Sequence, residues 1–138
     1  MQYDQSDIEL MALCLWREAR GEGQDGMRAV GHVIKNRVGA PGFAKTLRGV
    51  ILGPNEFSSM SVSSDPEYTL QPGPNDPQFA YCQQIAPAIL AGNDVDNTLN
   101  ALFYANEVTM TSGWYKRVII DSGQHPITVV IGKQTFRK

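Results

Sequence analysis

The sequence predicts an α+β domain that is mainly helical, with a small antiparallel sheet confined to its C-terminal part. Three features carry that prediction. The first forty or so residues hold two long segments patterned at helical spacing, an Asp76-Pro77 pair opens a third, and a hairpin signal, Ile127 to Ile131 and Gln134 to Phe136 about Gly132-Lys133, lies near the C-terminus. Helices followed by strands, rather than alternating with them, argue against a parallel α/β sheet. At 138 residues, with 42% hydrophobic and 19% charged, the chain is expected to fold as one domain spanning 1–138 around a core of its own.

Taken in order, Ser6 with Glu9 three residues on is a capping-box pattern, and it opens a first helix from Asp7 to about Arg20 that holds no glycine or proline. Its middle, LMALCLW, is apolar on every face, as suits a helix wrapped by the rest of the domain. Gly21 and Gly23 end it. A second helix is expected from near Asp25 to Val38, because Met27, Val30, Val33, Ile34 and Val38 recur in steps of three and four and turn one stripe toward the first helix. Residues 40–43 form a turn, and Thr46 to Leu52 a short helix that the Gly53-Pro54 break ends. From Asn55 to Asp76 the composition shifts to Ser, Pro, Gly, Asn and Asp, which predicts a long irregular excursion of the kind that usually carries function or motion. Asp76 then caps a third long helix with Pro77 at its first position; Pro87 is expected to kink it and Gly92 to end it. Ala101 to Ala105 reads as a short apolar strand ahead of the hairpin.

Twelve Lys plus Arg against fourteen Asp plus Glu give a net charge of −2 with neither sign clustered, which argues against nucleic acid as a partner. The longest apolar run, the seven residues Leu10 to Trp16, falls well short of the roughly 20 that span a bilayer, so no membrane insertion is expected. The first ten residues carry Asp4, Asp7 and Glu9 and no Lys or Arg, unlike a secretory leader. Cys14 and Cys82 sit inside apolar helical patterns, as buried core thiols do, and lack the helix N-terminus or cationic neighbour that activates a nucleophile. His32 and His125 read as packing or surface residues. Asp94, Asp96 and Thr98 imitate three positions of an EF-hand loop, but Leu99 replaces its glycine and Ala105 its glutamate, and there is no HExxH or CxxC. Neither metal nor cofactor is implied.

The stretch with most chemical content is WREARGE, residues 16–22, which sets Glu18 near the C-terminal end of the most apolar helix. A carboxylate partly buried beside Trp16 and Leu15 loses solvation, and the negative end of the helix dipole disfavours its anion further, so both effects raise its pKa. Such an acid can protonate a glycosidic oxygen near neutral pH. Arg17 and Arg20 oppose the shift if they point the same way, and the competing reading is a solvated last-turn carboxylate paired with an arginine. Glu22, between Gly21 and Gly23, is either a loop surface group or part of a cleft floor that the backbone approaches closely.

WREARGEGQDGMRAVGHVIKNRV followed by FSSM, then TLNALFYAN, GWY and IGKQTF, resembles the SleB-like cell wall hydrolase family of spore-cortex lytic type, over about Asp7 to Phe136 and with the motifs in family order. The resemblance implies a lysozyme-like fold and a peptidoglycan glycosidase that cuts the bond between N-acetylmuramic acid and N-acetylglucosamine. It places the catalytic acid on Glu18 and implies a lytic transglycosylase mechanism, in which one glutamate first donates a proton to the leaving oxygen and then takes one from the sugar's own 6-hydroxyl. A hydrolytic muramidase is the alternative, and it needs a second carboxylate roughly 5 Å away for retention or about 6.5 to 9.5 Å for inversion; Glu22, Asp25, Glu56 and Glu107 are the candidates. The family's FS motif falls on Phe57, Ser58 and Ser59, where a hydroxyl is positioned to bond the acid or a substrate N-acetyl group. Tyr104 and Asn106 are expected to line the cleft, with Phe103 alternating into the core, and Trp114 and Tyr115 to stack on sugar faces. Residues 61–77 and 108–128 depart from the family pattern and are expected to reshape the cleft rim.

The partner expected is therefore the peptidoglycan glycan strand, met by a monomer made in the cytoplasm without a signal peptide. Export by a holin or a secretion system, with phage lysis as the preferred setting, completes that expectation. A non-catalytic glycan-binding or virion structural module is the rival outside enzymology, because fold does not fix function.

Overall fold

The computed structural model describes residues 2–54 and 56–138, so the Asn55 that opens the expected excursion lies outside the described residues. Five helices come first: α1 (Gln5–Ala19), α2 (Gly23–Arg37), α3 (Leu47–Leu52), the single turn α4 (Ser58–Ser61) and α5 (Pro77–Leu90). Strands β1 (Phe103–Ala105), β2 (Ile127–Ile131) and β3 (Gln134–Arg137) follow. They form one antiparallel sheet in the order β1-β3-β2, with Tyr104 opposite Phe136. The α+β expectation holds.

α1 is enclosed as its all-round apolarity requires: Met11, Cys14 and Leu15 are fully buried beneath α2 and α5. Gly31 lets α2 approach both partners, since a β-carbon there would meet Ile89 Cδ1 at 2.7 Å and Met11 Cε at 3.2 Å. Phe136 plugs the sheet onto α2 beside Ala29 and Val33. No helix among the described residues is long and apolar enough to cross a membrane. Cys14 and Cys82 are buried free thiols.

Several boundaries differ from expectation. The cap of α1 is Asp4, not Ser6: the Asp4 carboxylate accepts from the Asp7 amide and the Asp7 carboxylate from the Asp4 amide, while Ser6 Oγ merely donates to Asp4. A carboxylate competes better than a hydroxyl for the positive end of a helix, and that moves the start two residues earlier. α2 begins at Gly23, directly after a 3-10 turn over Arg20–Glu22. The described part of the excursion is not wholly irregular, because α4 forms inside it. α5 runs through Pro87 to Leu90, with Pro87 supplying no amide to the Gln83 carbonyl. A π-helical turn over Tyr115–Ile120 had no recognisable signal. The Asp94 and Asp96 carboxylates of the EF-hand-like stretch are engaged by protein: Arg28 and His32 donate to Asp94 at 2.6 and 2.7 Å, and Asn36 to Asp96 at 2.9 Å. His125 packs edge-on against Phe103, with ring centroids 4.8 Å apart.

Candidate active site

The apolar run that buries α1 carries Glu18 into the last turn of that helix, where its side chain is half-buried. Two hydroxyls from distant elements meet it there. Ser59 Oγ, on α4, donates to Glu18 Oε2 at 2.5 Å, and Tyr104 Oη, on β1, donates to Oε1 at 3.4 Å. Burial pushes the Glu18 carboxyl above its ordinary range; the two hydroxyls pull it back, and the like charges of Asp65 and Glu67 push it further up. Tyr104 is itself driven well above the usual phenol range by burial and by the Glu18 charge, so it stays a neutral donor. A proton-carrying carboxyl with one hydroxyl on each oxygen can donate a proton and then hold the resulting anion.

The two arginines beside Glu18 do not pair with it. Arg17 is buried and donates to the carbonyls of Leu70 and Ser59 at 3.1 and 3.0 Å. Arg20 lies 4.2 Å above the Trp16 ring and grips the Glu67 carboxylate. Their charge is spent on the segment that covers the acid, and this leaves burial free to dominate.

The other expected site residues divide. Ser59 and Tyr104 meet Glu18. Phe57 is a correction: at 3% exposure it is part of the core and has no face for substrate. Ser58 is turned from the acid and donates to Asp65 at 2.5 Å. Asn106 is also corrected, since its side-chain oxygen accepts from the Val108 and Thr109 amides and holds a turn. Glu22 reaches the hairpin, where Gln134 Nε2 donates to it at 3.4 Å. Trp114 is exposed, whereas Tyr115 is half-buried near Glu107 and Arg137, its hydroxyl pushed up to about 12 by burial. Of the proposed second carboxylates, Glu56 lies 3.5 Å from Arg37 and Glu107 2.7 Å from Arg137. Residue spacing gave no sign of Asp65 or of the structural use of Arg17, because both depend on how residues 58–70 fold back over α1.

A protein-family model described as cell wall hydrolase matches residues 21–136. The chain belongs to that family. Among cell wall hydrolases with curated descriptions, the spore cortex-lytic enzyme of Oceanobacillus iheyensis is 41% identical over 113 residues, and that of Bacillus cereus 39%. Those alignments take in 81% of this chain but only 37% and 39% of the two relatives, so the chain spans well under half the length of the curated relatives it matches. The catalytic domain of the germination-specific lytic transglycosylase SleB from Bacillus anthracis superimposes with a TM-score of 0.75 at 34% identity, covering 99% of this chain and 97% of that domain. The lysozyme-like fold expected from the motifs is the fold observed, and the family is one of enzymes, peptidoglycan glycosidases.

Proposed function

We propose that this domain cleaves peptidoglycan between N-acetylmuramic acid and N-acetylglucosamine as a lytic transglycosylase, with Glu18 as its one essential carboxylate. The observation that carries this reading is the half-buried Glu18 carboxyl, its pKa raised by burial, with a hydroxyl from a separate element on each oxygen. Glu18 gives its proton to the glycosidic oxygen as the bond to the anomeric carbon breaks. The carboxylate, held by Ser59 and Tyr104, then takes the proton of the 6-hydroxyl while that oxygen bonds to the anomeric carbon, closing a 1,6-anhydro ring. Glu18 ends as it began and no water is consumed.

Hydrolysis of the same bond calls for a carboxylate free to activate water or attack carbon. Asp65 is the first-ranked like charge acting on Glu18, yet both of its oxygens already accept hydrogen bonds, from Ser58 and from the Glu67 amide. That favours the single-glutamate route. Trp114 and Tyr115 remain our proposed sugar contacts on the cleft rim, with Glu22 on its floor. The site of action we propose is the peptidoglycan layer; the spore-enzyme names of the relatives lend the phage setting no further support.

Glu18→Gln tests the reading against a glycan-binding module. Clearing of purified sacculi is expected to stop while sedimentation with sacculi persists. Clearing at the parent rate would refute a catalytic Glu18.

A further inference from the structure

The segment that brings Ser59 to Glu18 is clamped by the helix that carries Glu18. Arg17 holds the Ser59 and Leu70 carbonyls and Arg20 holds the Glu67 carboxylate, so the segment is pinned at both ends and near its middle. Asp65 closes the remaining gap. Its Oδ2 accepts from Ser58 Oγ at 2.5 Å and its Oδ1 from the Glu67 amide at 2.8 Å, which fixes the carboxylate in place. Two consecutive serines thus serve two acids: Ser58 holds Asp65 and Ser59 holds Glu18.

The charges around Glu18 give this arrangement a consequence. Cys14 and Arg17 face it from α1, Arg37 from α2, Tyr104 from β1, and Asp65 and Glu67 from the covering segment. A cation beside an acid favours its anion, so an unanswered Arg17 would strip the proton from Glu18. Glu67 is matched by Arg20. Asp65 is the carboxylate left to answer Arg17: its own carboxyl is held below the usual range by Ser58 and the Glu67 amide, with Arg17 adding to the effect.

We propose that Asp65 is a positioning residue for the acid Glu18: its fixed negative charge offsets Arg17 beside the site, and its grip on Ser58 keeps α4 presenting Ser59. The proposal rests on Glu18 being the acid of the reaction and adds what sets the pH range over which that acid works. Removing the Asp65 charge leaves the Glu18 anion less opposed, so the proton departs at lower pH and the alkaline limb of the rate profile moves to lower pH.

The test is a carbon-13 NMR titration of the Glu18 side chain, assigned with Glu18→Gln, in the parent, Asp65→Asn, Asp65→Ser and Asp65→Glu, alongside the pH profile of sacculus clearing. Both charge-removing variants are expected to lower the Glu18 titration midpoint by about half a pH unit or more, with a loss of about threefold in rate on the alkaline limb and little on the acid side. Asp65→Glu is expected to restore the parent midpoint. An unmoved midpoint in Asp65→Asn and Asp65→Ser overturns the proposal, even if the rate falls, because a purely structural role lowers the rate equally at every pH. The titration needs no turnover, so it decides the matter for Asp65 whether or not Glu18→Gln abolishes clearing.

Discussion

Ser59→Ala removes the shorter of the two hydrogen bonds to Glu18, and its cost follows from the site. The bond spans 2.5 Å, and Ser59 is 1% exposed, so bulk water does not take the hydroxyl's place. Hydrogen bonds to an ionised group are worth about 1.5 to 3 kcal/mol. Glu18 keeps some contact with solvent, which argues for the lower end, about 1.5 kcal/mol or roughly tenfold in rate. The bond is stronger to the carboxylate than to the carboxyl, so the loss falls on the step in which Glu18 gives up its proton and appears in kcat rather than KM. Because Ser59 pulls the Glu18 pKa down, its removal moves the alkaline limb to higher pH, opposite to the shift expected for Asp65→Asn. Arg17 still holds the residue-59 carbonyl, so the turn survives. Initial rates of soluble muropeptide release from sacculi, taken across the pH range at several substrate loads, provide the check. A kcat within about twofold of the parent with an unmoved limb would refute the role assigned to Ser59.

Tyr104→Phe removes only the 3.4 Å contact and is expected to slow release by about two- to threefold, with the fold intact by circular dichroism. Phe57→Ala empties a buried core position and is expected to cost about 3 to 5 kcal/mol in urea unfolding, the result for a core residue rather than a substrate contact. Glu18→Gln removes a carboxylate whose folded pKa lies above its unfolded value. Such a group costs stability once the pH exceeds the unfolded pKa, and the full cost is present above the folded pKa. The variant is therefore expected to melt higher than the parent near about pH 8, with the difference vanishing near about pH 4, by differential scanning calorimetry.

Local chemistry in the sequence was enough to locate the long helices, the hairpin and the acid. The LMALCLW run dictates enclosure of α1, the steps from Met27 to Val38 dictate the stripe on α2, and Gly132 at positive φ makes the two-residue turn between β2 and β3. Glu18 was legible for the same reason: a carboxylate in the last turn of a buried helix must lose water. Its partners were legible only through the family motifs, since Ser59 and Tyr104 lie 41 and 86 residues away and nothing in their spacing links them to α1. Within FSSM the motif could not say which side chain faces the acid; one turn of helix decides it, sending Phe57 into the core, Ser58 to Asp65 and Ser59 to Glu18. The roles of Arg17 and Asp65 were hidden because an arginine beside a glutamate suggests an ion pair, and only the folded segment reveals carbonyls competing for that guanidinium.

The most direct measurement is the mass of muropeptides released from defined peptidoglycan in water enriched in heavy oxygen. Glycan ends that are anhydro, one water lighter than reducing ends and free of heavy oxygen, and that vanish with Glu18→Gln, are the predicted result. Reducing ends carrying heavy oxygen, or anhydro ends that persist in Glu18→Gln, would contradict a single glutamate acting as both acid and base.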